Sequence, residues 1–314
     1  MSDPDGYTRR KILTLAAGVS AVFTFGPAGA QTTSTTETGG KTMQTRAIPS
    51  SKELLPIVGL GTYRGFDVAP SDPAYRELPA VLHALFEKGG TVVDSSPMYG
   101  RAEQTTGELL SIHEPRSPAF LATKVWTRGR EEGIAQMEQS FKLLQTDRID
   151  LMQIHNLLDW QIHLPTLRHW KEAGRIRYIG ITHYTSSAYE EVEAVLKAEP
   201  LDFLQINYAL DDRAVEKRIL PLCRENGVAV ICNRPFGGGG LIGRLKGKPL
   251  PGWAAEVGAK SWPQLALKFL LSNSAVTCVI PGTGNPRYMT ENAGAGFGPM
   301  LTDAHRHQLI ALVE

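Results

Sequence analysis

The sequence predicts a (β/α)8 TIM barrel, in the α/β class, as a single domain over residues 43–314. Three observations lead there. Short apolar, β-branched runs recur eight times, and longer stretches of helical period lie between them. The Gly-rich fingerprint that opens a doubly wound sheet is missing: "GLGTYRG" (Gly59 to Gly65) has the wrong glycine spacing, and no helical pattern follows it directly. Eight strand-and-helix units in about 270 residues match the size and rhythm of such a barrel.

In order, the strands are expected at 57–61 (IVGLG), 91–95 (TVVDS), 120–125 (FLATKV) and 149–155 (IDLMQIH). They continue at 178–182 (YIGIT), 202–207 (DFLQIN), 228–232 (VAVIC) and 276–280 (VTCVI). The helical stretches between them include "YRELPAVLHALFEKG", "EEGIAQMEQSFKLLQT", "SAYEEVEAVLKAE", "RAVEKRILPLCRENG" and "PQLALKFLLSNS". Glycine closes several of them, in "EKGG", "KEAGR" and "ENGV", as a helix C-cap requires.

The region before residue 43 follows different rules. Paired Arg9 and Arg10 precede the apolar run "ILTLAAGVSAVFTFG", and "PAGA" ends at Ala30. That order is expected to be a twin-arginine export signal over residues 1–30, cut after Ala30 and read by the twin-arginine export machinery. The predicted address is the periplasm. The apolar run is shorter than the roughly 20 residues of a spanning helix, so no stable membrane anchor is expected. An uncleaved N-terminal anchor is the alternative. Residues 31–42, "QTTSTTETGGKT", have the composition of a flexible linker.

A formal net charge of +1, with no basic stripe, excludes nucleic acid as a partner class. Cys223, Cys232 and Cys278 are odd in number and irregular in spacing, which gives no disulfide framework. Cys232 and Cys278 sit inside apolar runs and are expected to pack as small hydrophobes. No metal-ligand spacing is present.

In a (β/α)8 barrel, chemistry sits at the C-terminal ends of the strands. The second strand ends at Asp94, with Tyr99 in the loop beyond; the third ends near Lys124 and the fourth at His155. Adjacent strands lie about 4.8 Å apart, so these ends share one rim. A free tyrosine, with a pKa of about 10, donates a proton poorly near neutrality. A neighbouring lysine ammonium is expected to lower that value. Asp94 would orient Lys124 and keep it charged, and His155 would donate a hydrogen bond to a substrate oxygen. The four residues are expected to form a general acid aimed at a carbonyl group.

The motifs "GLGTY", "VVDSSPMYG.AE", "ATKVW", "LMQIHN", "IRYIGIT", "QINY", "RPFGGGGL" and "IPGTGNPRYMTEN" run in order along the body of the chain. Together they resemble the aldo-keto reductase family. The resemblance implies a monomeric or loosely oligomeric barrel that moves hydride from NADPH to a small-molecule aldehyde or ketone, with a monomer the expected state. Asp94, Tyr99, Lys124 and His155 would be its catalytic tetrad, with Tyr99 as proton donor.

By the same resemblance, Gly61 and Thr62 belong beside the nicotinamide ribose, Thr182 and Gln205 at the carboxamide, and His183 among the cofactor-binding residues. Asn233, Arg234, Pro235, Phe236 and Gly237 lead a glycine-rich loop suited to a pyrophosphate. Thr283, Arg287, Glu291 and Asn292 fall where the family holds the adenosine end. Tyr63, Trp126 and Trp160 are candidates for the substrate-pocket wall.

The chain departs from the family in three places. Thr182-His183 replaces a Ser-Asn pair, and Cys232-Asn233-Arg234 replaces a tyrosine that stacks on the nicotinamide. After the last strand, Gly282 and Tyr288 stand where many members carry Lys and Arg for the 2′-phosphate. Arg287 is the expected substitute, since a guanidinium grips phosphate well. NADP is therefore the expected cofactor, with NAD as the alternative. A nucleotide-binding sensor or partner subunit with little turnover is the competing function. A glycosidase needs two carboxylates about 5 to 9.5 Å apart, and the strand ends supply only Asp94.

Overall fold

Ten strands organise the computed structural model, which describes residues 42–112 and 119–314. The expected export signal and all but the last residue of the expected linker lie outside the described residues. A hairpin of β1 (Thr45–Ala47) and β2 (Leu54–Pro56) comes first, paired antiparallel with Arg46 opposite Leu55. This hairpin was not foreseen, because Pro49 and a run of turn residues break its alternation.

Eight parallel strands follow: β3 (Leu60–Gly61), β4 (Val92–Asp94), β5 (Phe120–Val125), β6 (Ile149–His155), β7 (Ile176–Thr182), β8 (Phe203–Asn207), β9 (Ala229–Asn233) and β10 (Val276–Val279). Each pairs with the next in chain order. Parallel bridges Val58–Val279 and Gly61–Gly282 bring the last strand back to the first. The first strand is shorter than the run at 57–61 suggested. Gly59 explains the close fit there, because a Cβ on it would fall 2.7 Å from that of Val92.

The barrel strands alternate in the direction their residues face. Val93, Leu121, Met152, Ile179, Leu204 and Val230 face the surrounding helices and share one buried core with them. Val92, Phe120, Leu151, Tyr178 and Phe203 belong to a second buried cluster inside the barrel. Its rings pack against one another, with Phe120–Tyr178 stacked at 5.9 Å and Tyr178–Phe203 edge-on at 5.4 Å. Ile48 and Leu55 of the hairpin join this cluster, so the hairpin closes the end where the strands begin. Burying each such large side chain contributes about 1.5–3 kcal/mol.

The inward positions turn polar two to four residues further along. Val92 leads to Asp94, Phe120 to Lys124, Leu151 to Gln153 and His155, and Phe203 to Gln205. An apolar floor thus carries a polar layer, and that layer is the site.

Around the barrel lie α1 (Leu78–Glu87), α2 (Ala102–Ile112), α3 (Arg130–Leu143), α4 (Trp160–Glu172), α5 (Tyr189–Ala198) and α6 (Ile219–Asn226). They are followed by α7 (Gly240–Leu245), α8 (Trp262–Leu271), α9 (Pro286–Ala293) and α10 (Asp303–Val313). The caps follow the sequence. Gly227 ends α6 at φ 67°, and Ser261 accepts from the Gln264 N–H to start α8.

Candidate active site

Lys124 is the centre of the polar layer and is fully buried. Its Nζ donates to Asp94 Oδ2 at 2.7 Å and to the Ser95 carbonyl at 2.6 Å. Burial pulls its pKa down, but Asp94 and Tyr99 together outweigh that and leave it above the usual lysine value. Asp94 is sealed as well. Its Oδ1 accepts from Gln205 Nε2 at 2.8 Å and from Gln153 Nε2 at 3.1 Å.

Tyr99 arrives from the turn after β4, with Lys124 Nζ 5.0 Å from its ring centroid. Burial pushes its phenol above the ordinary tyrosine value; Lys124 pulls against that rise and Asp94 adds to it. The lysine therefore acts in the expected direction, but the expected net lowering is reversed because desolvation dominates. At neutral pH the phenol keeps its proton.

His155 lies beyond Tyr99, with the two rings edge-on at 6.1 Å. Burial, followed by the charges of Lys124 and His183, lowers its pKa to about 3, so the imidazole is neutral. Its Nδ1 is 3.1 Å from Ser96 Oγ, which also accepts from the Met98 N–H. The Ser96 hydroxyl proton is then free to point at Nδ1, which puts the imidazole proton on Nε2. The neutral ring becomes a hydrogen-bond donor facing outward.

Half-exposed aromatics flank this pair. Tyr63 lies 5.0 Å from the Tyr99 ring, and Trp126 lies 6.3 Å from the His155 ring. Trp160, the third candidate for the pocket wall, opens α4 and packs partly buried against the outer core.

The expected cofactor residues fall into two groups. Gly61, Thr62, Thr182, His183, Gln205 and Asn233 ring the same strand ends. Thr62 donates to the Asp94 carbonyl at 3.0 Å, which spends its hydroxyl within the rim. Gln205 is likewise turned toward Asp94. The Asn233 amide donates to the His183 carbonyl at 3.0 Å, while its Oδ1 is buried and has no partner. That orphaned acceptor fits a donor from a bound carboxamide.

The second group lies further out. After Pro235 and Phe236, Gly237, Gly238 and Gly239 all have positive φ, a backbone that side-chain-bearing residues rarely adopt. Thr283 Oγ1 accepts from the Asn285 N–H, and Asn285 caps α9. Arg287 and Glu291 lie on α9, with Asn292 buried behind them. Arg234 and Arg287 are exposed, and neither forms an ion pair among the described residues. Two guanidiniums without ion pairs, Arg234 at the glycine loop and Arg287 on α9, fit a phosphate-bearing cofactor.

The sequence reading missed Gln153 and Ser96. Period-2 alternation could have found Gln153, which sits two residues before His155 on the same inward face. Nothing in the chain pattern singles out Ser96. A cavity of about 1020 Å³ lies at the other end of the barrel, lined by Pro49, Lys171, Asp202 and Val228. Lys171 and Asp202 pair with each other there. Among the described residues, no cluster of three or more His, Cys, Asp or Glu could hold a metal. None of their helices is long and apolar enough to cross a membrane.

Comparison with known proteins bears on this geometry. The sequence model of the Aldo/keto reductase family matches residues 57–309. Aldo-keto reductase YhdN of Bacillus subtilis (strain 168) is 26% identical over 203 residues, 60% of this chain and 60% of that protein. Aldo-keto reductase yakc [NADP(+)] of Schizosaccharomyces pombe is 27% identical, covering 79% of this chain and 87% of that protein. Among solved structures, the holo form of aldo-keto reductase AKR11C1 from Bacillus halodurans superposes with a TM-score of 0.68 at 25% identity. That match covers 87% of this chain and 97% of the other.

Proposed function

Because this chain belongs to the aldo/keto reductase family, we propose that it reduces an aldehyde or ketone to an alcohol with NADPH as hydride source. The observation that carries this reading is the half-buried, protonated Tyr99 phenol, backed by Lys124 and Asp94 and opening toward a neutral His155. Such a set delivers a proton to an oxygen as it gains negative charge.

The cofactor's contribution, when bound, is the hydride for the carbonyl carbon. Tyr99 Oη supplies the proton: its O–H bond breaks as the carbonyl oxygen takes up the proton, completing the alcohol. Lys124 stabilises the phenolate left behind, and Asp94 holds Lys124 charged. His155 Nε2–H holds the carbonyl oxygen within reach of Tyr99 and favours the charge that develops on it. Asn233 Oδ1 would accept from the carboxamide, and Arg234, Arg287 and the backbone of the glycine loop would hold the phosphates. The NADP(+) in the name of the yeast relative supports that choice of cofactor.

The test is NADPH oxidation by the purified chain against a panel of aromatic and aliphatic aldehydes. Tyr99→Phe is expected to abolish turnover while NADPH binding persists. A fully active variant would remove Tyr99 from its role. The same reading places the protein in the periplasm as a monomer, exported through the twin-arginine route and cut after Ala30. N-terminal sequencing of protein recovered from the cell envelope tests this, and a chain still beginning before residue 20 would exclude it.

A further inference from the structure

The geometry points to Gln153 as a positioning residue for this reaction, one that fixes the Asp94 carboxylate so that a single oxygen serves Lys124. The inference rests on the function proposed above and adds a residue that the chemistry of the four strand-end groups does not require.

Gln153 lies on β6, in register with Lys124 on one side and Gly180 on the other. Its side chain is fully buried. Its Nε2 donates to Asp94 Oδ1 at 3.1 Å and to the Thr123 carbonyl at 3.5 Å, and its Oε1 accepts from Gln205 Nε2 at 3.2 Å. The orientation of both amides is dictated, since turning either one would aim a carbonyl oxygen at a carboxylate. Every polar atom of Gln153 is thus spent inside the protein.

Room for this side chain comes from Gly180. A Cβ at position 180 would fall 3.2 Å from Gln153 Cγ, and the Phe203 carbonyl blocks it from the other side at 3.0 Å. Glycine in the strand "YIGIT" is therefore matched to glutamine in "LMQIH".

The electrical effect follows from where the donors sit. The two amides draw the charge of Asp94 toward Oδ1, away from Lys124 on Oδ2. The titratable groups facing Tyr99 are Lys124, Asp94, Tyr63 and His155. Gln153 reaches Tyr99 only through Asp94. Without its N–H, Asp94 presents a more negative potential to Lys124 and Tyr99, and a phenolate at Tyr99 becomes harder to form. A weaker acid transfers its proton more slowly.

The experiment is a titration of Tyr99 in the full chain labelled with fluorotyrosine, whose phenol is more acidic than that of tyrosine. Fluorine NMR reads it, and the signal lost in Tyr99→Phe assigns it. Gln153→Met keeps the length and removes the donors, and Tyr99 is expected to titrate about one pH unit higher. Gln153→Leu removes the same donors with a branched side chain and should move the titration in the same direction. The value of kcat should fall in both variants, with KM unchanged. Superposable titrations would overturn the proposal, and whichever variant folds suffices to judge it. If the wild-type chain turned over no carbonyl compound, the proposed reaction would fall while the titration still decided the role of Gln153.

Discussion

Lys124 Nζ stands 2.7 Å from Asp94 Oδ2, and both side chains are sealed from solvent. Breaking a buried pair by removing one charge leaves the other unpaired, at about 3–5 kcal/mol. Asp94→Asn is therefore expected to lower unfolding free energy by about that much, well beyond a surface change. Adding Lys124→Met to it should recover much of the loss, because the stranded ammonium is gone. Denaturant unfolding of the two singles and the double measures this. Strictly additive losses would show that the two charges do not depend on each other.

The folded-state pKa of His155, about 3, lies below its ordinary 6.5. As pH falls through 6.5, the unfolded chain binds a proton that the folded chain refuses until about pH 3. Stability is then lost progressively across that window. Wild-type protein should lose more unfolding free energy between pH 7 and pH 4 than His155→Gln. The same shift predicts that kcat/KM shows no His155 ionisation near 6.5. Equal acid sensitivity in the two proteins would contradict the neutral, buried assignment.

How far the site was legible depends on which bonds are local. Asp94, Lys124 and His155 could be placed because each ends an apolar run, and strand order alone brings them to one rim. Tyr99 followed from its loop. The net effect on Tyr99 was misjudged because a nearby lysine can be read from the chain, whereas the depth of burial cannot. The family pattern puts Gln205 at the cofactor, and the structure adds that its Nε2 faces Asp94. That contact depends on a side-chain orientation across three strands, which no local pattern encodes. The hairpin at the bottom of the barrel was missed for a similar reason: two strands of three residues each carry too few alternations to register.

Cys223, Cys232 and Cys278 are all free and buried, and burial raises each thiol above its ordinary value, Cys223 to about 12. Thiolate is the reactive form. Native protein at pH 8 should therefore resist an aromatic disulfide reagent, whereas the denatured chain should release three equivalents. A thiol that reacts rapidly in the native protein would place that cysteine at an open surface. The outcome also bears on export, because an oxidising compartment is safe for cysteines that never meet the solvent.

Arg287 is exposed on the first turn of α9 and carries no ion pair among the described residues, whereas Gly282 and Tyr288 offer no positive charge of their own. A cofactor with a 2′-phosphate would gain a charge-assisted bond there that NADH cannot make. Arg287→Ala is expected to weaken NADPH binding by about ten- to a hundredfold, since a hydrogen bond to a charged group is worth about 1.5–3 kcal/mol. NADH binding should be unaffected. Dissociation constants for both cofactors, from quenching of tryptophan fluorescence, measure the contrast. Arg234→Ala serves as the comparison, because a residue placed at the shared pyrophosphate should weaken both cofactors alike. If wild type binds the two nucleotides equally, the NADPH assignment fails. If instead Arg234→Ala alone removes the preference, the extra phosphate lies at the glycine loop and not at α9.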